Sequence, residues 1–537
     1  MRVRPLVATL AILTGALIPL RAAGPPKLVV ILIVDQLRAD YLTTFATHWR
    51  RGFRTLLTEG AVFTKAEYPY LHLDTCAGHA TVSTGTLPSA HGMIADNWWD
   101  RDARRQFECT EDARFPAITY GNVPRIGNSA RALLVPTIAD ELRAHTPAAR
   151  VVALSLKARG SIGLAGHAGD AVTWFEEAAG TFVTSRAFAE RPVAAVKTFI
   201  DANPFEADLG KVWRLRDPAS MYRHGDAGVG ERPPAGWTGL LPHELKGLQG
   251  ADAHFREAWR RSPMADAYLG RMAASLIDAF ALGQRDETDF LGVSFSSLDH
   301  VGHLFGPGSR EIEDMMAHLD DTLGALIDHL DRTVGRGNFV LALSADHGVA
   351  PIPTGAAGGR VVPDDVRDRI EDTLRTELGA RDKGSYVDSV YTDTFYLAPG
   401  VLDQLRARPG VMRTLEHAVL AIPGVSRLIR TDLVSESSSD PISRAAALSR
   451  HGVRNGELSI VPKPLWTVLA RASPNAVTHS TPYPYDKHVP LILLGGGVRR
   501  GSFDRAVTPA DIAPTLAQVA GIRMTKASGR ALREALP

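Results

Sequence analysis

LVVILIVD, residues 28–35, runs through seven apolar residues and ends in an acid. An uninterrupted Val- and Ile-rich run of this kind fits a strand buried on both faces of a parallel sheet. Working outward, similar runs recur: RVVALSL at 150–156, FLGVSFSS at 290–297, FVLALSAD at 339–346 and VPLILLG at 489–495. Amphipathic helical stretches lie between several of them, over Val135–His145, Ala265–Leu282, Glu311–Leu330 and Pro509–Val519. Buried strands alternating with helices predict an α/β fold, a mostly parallel central sheet sandwiched between helices. Two stretches fit this pattern poorly. Residues 200–262 are rich in Pro, Gly and charge, and residues 355–460 hold shorter strands such as YVDSVYTDTFYL and a Ser-rich turn, SESSSD. Both read as surface insertions on one domain spanning 25–537, not as independent domains.

The chain carries 60 Lys and Arg against 59 Asp and Glu, a formal net charge of +1. That balance offers no broad basic surface, so no nucleic-acid partner is expected. The two Cys among 537 residues cannot build a disulfide scaffold or a four-cysteine zinc site. At the N-terminus, Arg2 and Arg4 precede an uncharged, largely apolar run from Pro5 to Leu20, and Arg21-Ala22-Ala23-Gly24 follows. This reads as a secretory signal peptide over residues 1–24. The alternative, an uncleaved anchor, meets a run shorter than the ~20 residues that span a bilayer. The expected location is therefore periplasmic or secreted, with no stable membrane insertion after cleavage.

Three of the apolar runs end in metal-ligating residue types. The first ends at Asp35, the third delivers Asp299 and His303, and the fourth delivers Asp346 and His347. Ligands in open α/β sheets sit at the carboxyl ends of strands. One Asp there is commonly a turn former or helix cap; three strands ending this way form a pattern. Asp299 and His303 share one face if helical, and carboxylate with imidazole suits zinc. A further His is needed, and the downstream candidates are His417, His451, His479 and His488. PYPYDKHVPLILLG places His488 directly before an apolar strand, which favours it. The segment LDTCAGHATVSTGTLPSAHG, residues 73–92, puts Thr75 where a turn meets a small-residue stretch. A helix starting there offers N–H groups to a phosphate, although Thr75 as a plain N-cap fits equally well.

Taken together, VDQLRADY, the T-x-x-G-H segment, SSLDHVGH, SADHG, YDKHVP and DIAPTLAQVAGI resemble the alkaline phosphatase superfamily over about residues 27–530. The likeness is to the type I phosphodiesterase and nucleotide pyrophosphatase branch, and within it to bacterial alkaline phosphatases with a threonine nucleophile. The resemblance implies two Zn2+ per chain. It assigns Asp299, His303 and His488 to the first ion, and Asp35, Asp346 and His347 to the second, with Thr75 as nucleophile also on the second. His79, His91 and His300 are expected to be structural.

The Lys157-x-Arg159 pair after the second apolar run resembles that of the phosphomonoesterase members, and two cations suit a dianionic ester. The resemblance also implies an Asn touching phosphate 21 residues after the nucleophile. Strict spacing gives Asp96, and a one-residue shift gives Asn97, which is favoured because an Asp would repel a dianion. The implied activity is phosphomonoester hydrolysis of small molecules through a phosphothreonine. The alternative is a nucleotide pyrophosphatase or phosphodiesterase of the same superfamily. Cys76 and Cys109, the only cysteines, form either a disulfide or two buried thiols.

Overall fold

The computed structural model describes residues 24–121, 127–355 and 358–537. Residues 1–23, nearly all of the expected leader, lie outside them. Ten strands of the described residues form one sheet: β1 (Leu28–Val34), β2 (Ala61–Ala66), β3 (Ala117–Thr119), β4 (Val151–Ser155), β5 (Ala171–Glu176), β6 (Thr181–Ser185), β7 (Asp289–Phe295), β8 (Phe339–Ser344), β9 (Leu491–Gly495) and β10 (Gly501–Val507). Their spatial order is β10-β2-β9-β8-β1-β7-β4-β5-β6-β3. The five strands β8-β1-β7-β4-β5 are parallel. On one side β9 runs antiparallel to both β8 and β2, and on the other β6 runs antiparallel to β5 and β3. The fold is α/β as expected, with antiparallel strands confined to the flanks of the parallel body.

The reading of β1 as buried on both faces holds residue by residue. Leu28, Val30, Leu32 and Val34 face one apolar core, while Val29, Ile31 and Ile33 face the other. A period-2 strand flanked by two cores has to be apolar at every position. Seven helices matter for the site or for these cores: α1 (Thr75–Thr84), α2 (Ile138–His145), α3 (Ala158–Ala165), α4 (Pro263–Ala279), α5 (Ser297–Phe305), α6 (Arg310–Thr333) and α7 (Ile512–Ala520). The buried sides of α4 and α6 join the first core, and those of α2, α3 and α7 join the second. Helix α2 starts in a capping box, Thr137 with Asp140, and α6 is capped by Ser309, so both starts follow from local sequence.

The two poorly patterned stretches behave differently from each other. Residues 200–262 are not only surface: Phe205, Trp213, Phe255 and Trp259 insert into the first core. Phe255 and Trp259 stand one turn apart on a helix, Ala253–Arg260, whereas Phe205 and Trp213 follow no period among the surrounding Pro and Gly, so the sequence hid them. In the other stretch, Val387–Tyr391, Thr394–Leu397, Leu458–Pro462 and Val425–Arg430 form a separate four-stranded antiparallel sheet, in that spatial order. It has its own apolar core with Ile370, Leu374, Phe395 and Leu415. A hairpin, Asn97–Asp100 with Arg105–Glu108, reaches it: Gln106 Nε2 donates to Ser389 Oγ and Arg101 pairs with Glu457.

Candidate active site

Four parallel strands empty onto one edge of the sheet. β1 runs into Asp35, β8 into Asp346 and His347, and β4 into Lys157, the residue before α3. β7 leads through Ser296 into α5, where Asp299 and His303 stand one turn apart. The four exits are adjacent in the sheet, so residues far apart in sequence meet in a small volume.

Asp299 is the hub. Its Oδ1 lies 3.1 Å from His303 Nε2 and accepts a 2.6 Å bond from Gln36 Nε2. Lys157 Nζ sits 2.7 Å from Asp299 Oδ2 and 2.8 Å from Asp35 Oδ2, so the buried ammonium bridges two carboxylates. Burial alone would pull the Lys157 pKa down, but Asp299 and Asp35 hold it above its ordinary value. Asp299 is held well below the carboxylate range: burial pushes it up, and Lys157 and His303 outweigh that. Asp346 goes the other way, to about 8, through burial and then repulsion from Asp35. A buried carboxylate cluster that raises one member this far is the setting a divalent cation relieves.

Two groups of ligand-type atoms converge. Asp299, His303 and His479 offer atoms within 4.8 Å of one another, and so do Asp35, His79 and Asp346. Asp346 Oδ2 and His347 Nε2 are buried without a hydrogen-bond partner, which is costly unless something else binds them. His303 Nδ1 donates to Val477 O and His347 Nδ1 to Gly348 O, both at 2.9 Å. Fixing the proton on Nδ1 leaves Nε2 as the ligand atom, beside Asp299 in His303 and without a partner in His347, the arrangement of metal-binding histidines. The His347 ring stacks on His479 at 3.6 Å between centroids. These residues fit a metal centre by donor type, burial and unsatisfied atoms.

Two expected positions differ. His488 does not join Asp299 and His303. It caps the turn before β9 with its backbone bridged to Glu67, and its Nε2 bonds Thr64 O at 2.9 Å, facing β2. His479 occupies the place instead. Its loop is tied over α5 because the N–H groups of Ala476 and Val477 both donate to His303 O. No local signal marks that loop. Asn97 gives way as well: Asp96, the residue before it, turns toward the start of α1 and pairs with Arg159.

Thr75 is the first residue of α1 and is 2% exposed, with Asp74 before it in extended backbone. Asp74 accepts from Ser480 Oγ at 2.7 Å and from the Asp96 N–H at 3.2 Å. The Cys76 N–H donates to Asp96 Oδ1 at 2.8 Å, and Arg159 Nε lies 2.9 Å from Asp96 Oδ2. Helix α1 is held against the β8 exit so tightly that a Cβ on Gly78 would meet Asp346 O at 2.4 Å. Cys76 and Cys109 are disulfide-bonded, Cα atoms 6.7 Å apart, fastening the start of α1 to the hairpin. His79 lies deeper in the site than expected. Its Nδ1 bonds Thr75 O at 2.9 Å, and its Nε2 is 3.5 Å from Asp35 Oδ1. His91, by contrast, accepts the Met93 N–H at Nδ1 and bonds Thr81 at Nε2, and burial lowers it to about 3.

Comparison with known proteins follows this geometry. The type I phosphodiesterase / nucleotide pyrophosphatase family matches residues 29–488. Alkaline phosphatase PafA of Elizabethkingia meningoseptica is 31% identical over 96% of this chain and 95% of its own length. Alkaline phosphatase PhoV of Synechococcus elongatus is 30% identical over 94% and 91%. The crystal structure of PafA superposes with a TM-score of 0.86 at 28% identity, covering 96% of this chain and all of that one. Family match and fold agree: the chain belongs to the type I phosphodiesterase / nucleotide pyrophosphatase family of the alkaline phosphatase superfamily.

Proposed function

We propose that this protein is an exported, two-zinc phosphomonoesterase that works through a phosphothreonine at Thr75. The observation that carries the reading is the delivery of two cations, Lys157 and Arg159, to the site that holds Thr75 and the acid–histidine cluster. Two cations suit a dianionic ester, and two relatives of similar length are named alkaline phosphatases.

In this reading Asp299, His303 and His479 hold one ion. Asp35, Asp346 and His347 hold the other, together with the Thr75 oxygen. Zinc bound there lowers the pKa of the threonine hydroxyl and neutralises oxygens that gain charge. The chain's own groups do the rest. Thr75 opens helix α1, where the positive end of the helix dipole favours anionic oxygens. The Thr75 oxygen attacks phosphorus as the ester oxygen leaves with the phosphorus–oxygen bond electrons and gains a proton. Water then attacks the phosphothreonine, releasing inorganic phosphate and restoring the hydroxyl. Arg159 orients non-bridging oxygens, and Lys157 offsets charge between the two carboxylates.

A phosphodiesterase is the second reading. Asp96 favours it, because its pairing with Arg159 reduces the positive charge left for a dianion. Metal analysis with paired assays of nitrophenyl phosphate and its bis ester decides. The proposal expects about two zinc per chain and kcat/KM for the monoester higher by on the order of a hundred-fold. A preference for the diester would replace it.

A further inference from the structure

Asp96 binds two donors that an incoming phosphate would use, the Cys76 N–H in the first turn of α1 and the Arg159 guanidinium on α3. One carboxylate oxygen accepts the Cys76 N–H in the first turn of α1, at 2.8 Å. The other is 2.9 Å from Arg159 Nε, and Glu108 approaches the same guanidinium at 3.9 Å. The backbone N–H of Asp96 is itself fixed by Asp74 Oδ2 at 3.2 Å, so the carboxylate is held in place from behind. A carboxylate and a phosphate compete for the same donors: an exposed helix N–H and a planar guanidinium. A fixed negative charge also repels a dianion more than a monoanion.

We propose that Asp96 is a specificity-determining residue that competes with phosphate for Arg159 and the Cys76 N–H. It thereby weakens binding of monoester and inorganic phosphate and narrows the monoester preference over diesters. The inference rests on the phosphomonoesterase reading. Functionally, it makes an enzyme that releases phosphate readily and keeps working where product accumulates. Its substrates are then phosphomonoesters abundant enough to tolerate a raised KM.

The test measures the affinity of the zinc-loaded protein for inorganic phosphate by calorimetry, alongside kcat and KM for a nitrophenyl monoester and its bis ester. Wild type, Asp96→Asn and Asp96→Ser are compared, each also with Arg159→Ala. Both neutral residues can still accept the Cys76 N–H, so both variants remove the charge while keeping the cap. Asp96→Asn is expected to bind phosphate on the order of ten-fold more tightly. It should lower KM for the monoester by a similar factor and leave diester KM within about two-fold, since a monoanion is repelled less. The gain should shrink when Arg159 is absent, because the freed donor is then missing. Phosphate affinity unchanged or weakened in both folded Asp96 variants would overturn the inference. A wild type without monoesterase activity would instead defeat the functional reading on which it rests.

Discussion

Asp35, Asp299 and Asp346 leave buried strands, whereas His479 and Asp96 sit in connecting segments placed by distant partners. The strand-end acids inherit their positions from the sheet: β7, β1 and β8 are neighbours in register, so their next residues have to meet. His479 depends on a loop clasped by His303, 174 residues away from Val477. Asp96 depends on Asp74, Cys76 and Arg159. A site half built by the sheet and half by clasped loops should fail differently in its two halves.

The largest effect that tests this contrast comes from the histidines. His479→Ala is expected to lower kcat/KM by 100-fold or more, on the order reported for loss of a metal-binding partner, and to reduce bound metal. His488→Ala should keep full metal and most activity, because its ring bonds a backbone carbonyl at the rim. Equal metal loss in both would return His488 to the centre and erase the distinction.

A second effect concerns the covalent clasp. The Cys76–Cys109 bridge closes a separation of 33 residues, worth about 3–4 kcal/mol in the chain-entropy model. Its removal in a double Ser variant should lower denaturant stability by about that amount. Metal should stay bound, since neither cysteine belongs to the strand-end half. Loss of metal with the bridge would mean the two halves are one unit.

Asp486 offers a pH handle on the loop that carries His479. It is buried, accepts the Thr481 N–H at 2.8 Å, and burial raises it to about 7. Its folded pKa lies above the unfolded value, so its protonated form stabilises fully below about pH 4. That contribution fades as pH rises toward 7, on the order of 4 kcal/mol. Asp486→Asn should flatten this decline in the stability–pH curve. An unchanged slope would show that the loop is held without it.

The smallest expected effect is at Asn97. Asp96 rather than Asn97 pairs with Arg159, so Asn97→Ala should leave kcat/KM for a monoester within about three-fold, as for a residue outside the reacting groups. A loss as large as that of Arg159→Ala would restore it as the phosphate contact.

The same contrast explains what the sequence revealed. Continuous apolar runs announce buried strands, and an acid directly after one needs no further information to be placed. Asp35, Asp299, His303, Asp346 and His347 were therefore readable, as was the Cys76–Cys109 pairing as one of two alternatives. His488 adjoins a strand that starts at the site edge, since Leu491 of the antiparallel β9 lies opposite Ser344 of β8, but its ring turns toward β2. Nothing near His479 records that its loop folds back onto α5. Asp96 fell at the expected spacing and was set aside on charge; Arg159 supplies the counter-charge that the linear sequence does not display. Phe205 and Trp213 were hidden for a related reason, since they reach the core without any repeat.

The central claim is that Thr75 carries the phosphoryl group. Acid quenching during turnover of a monoester, followed by peptide mass spectrometry, tests it most directly. The account predicts phosphate on Thr75 in the wild type and none in Thr75→Ala, which should keep its metal and lose turnover. Phosphate on another residue, or wild-type turnover in Thr75→Ala, would contradict it.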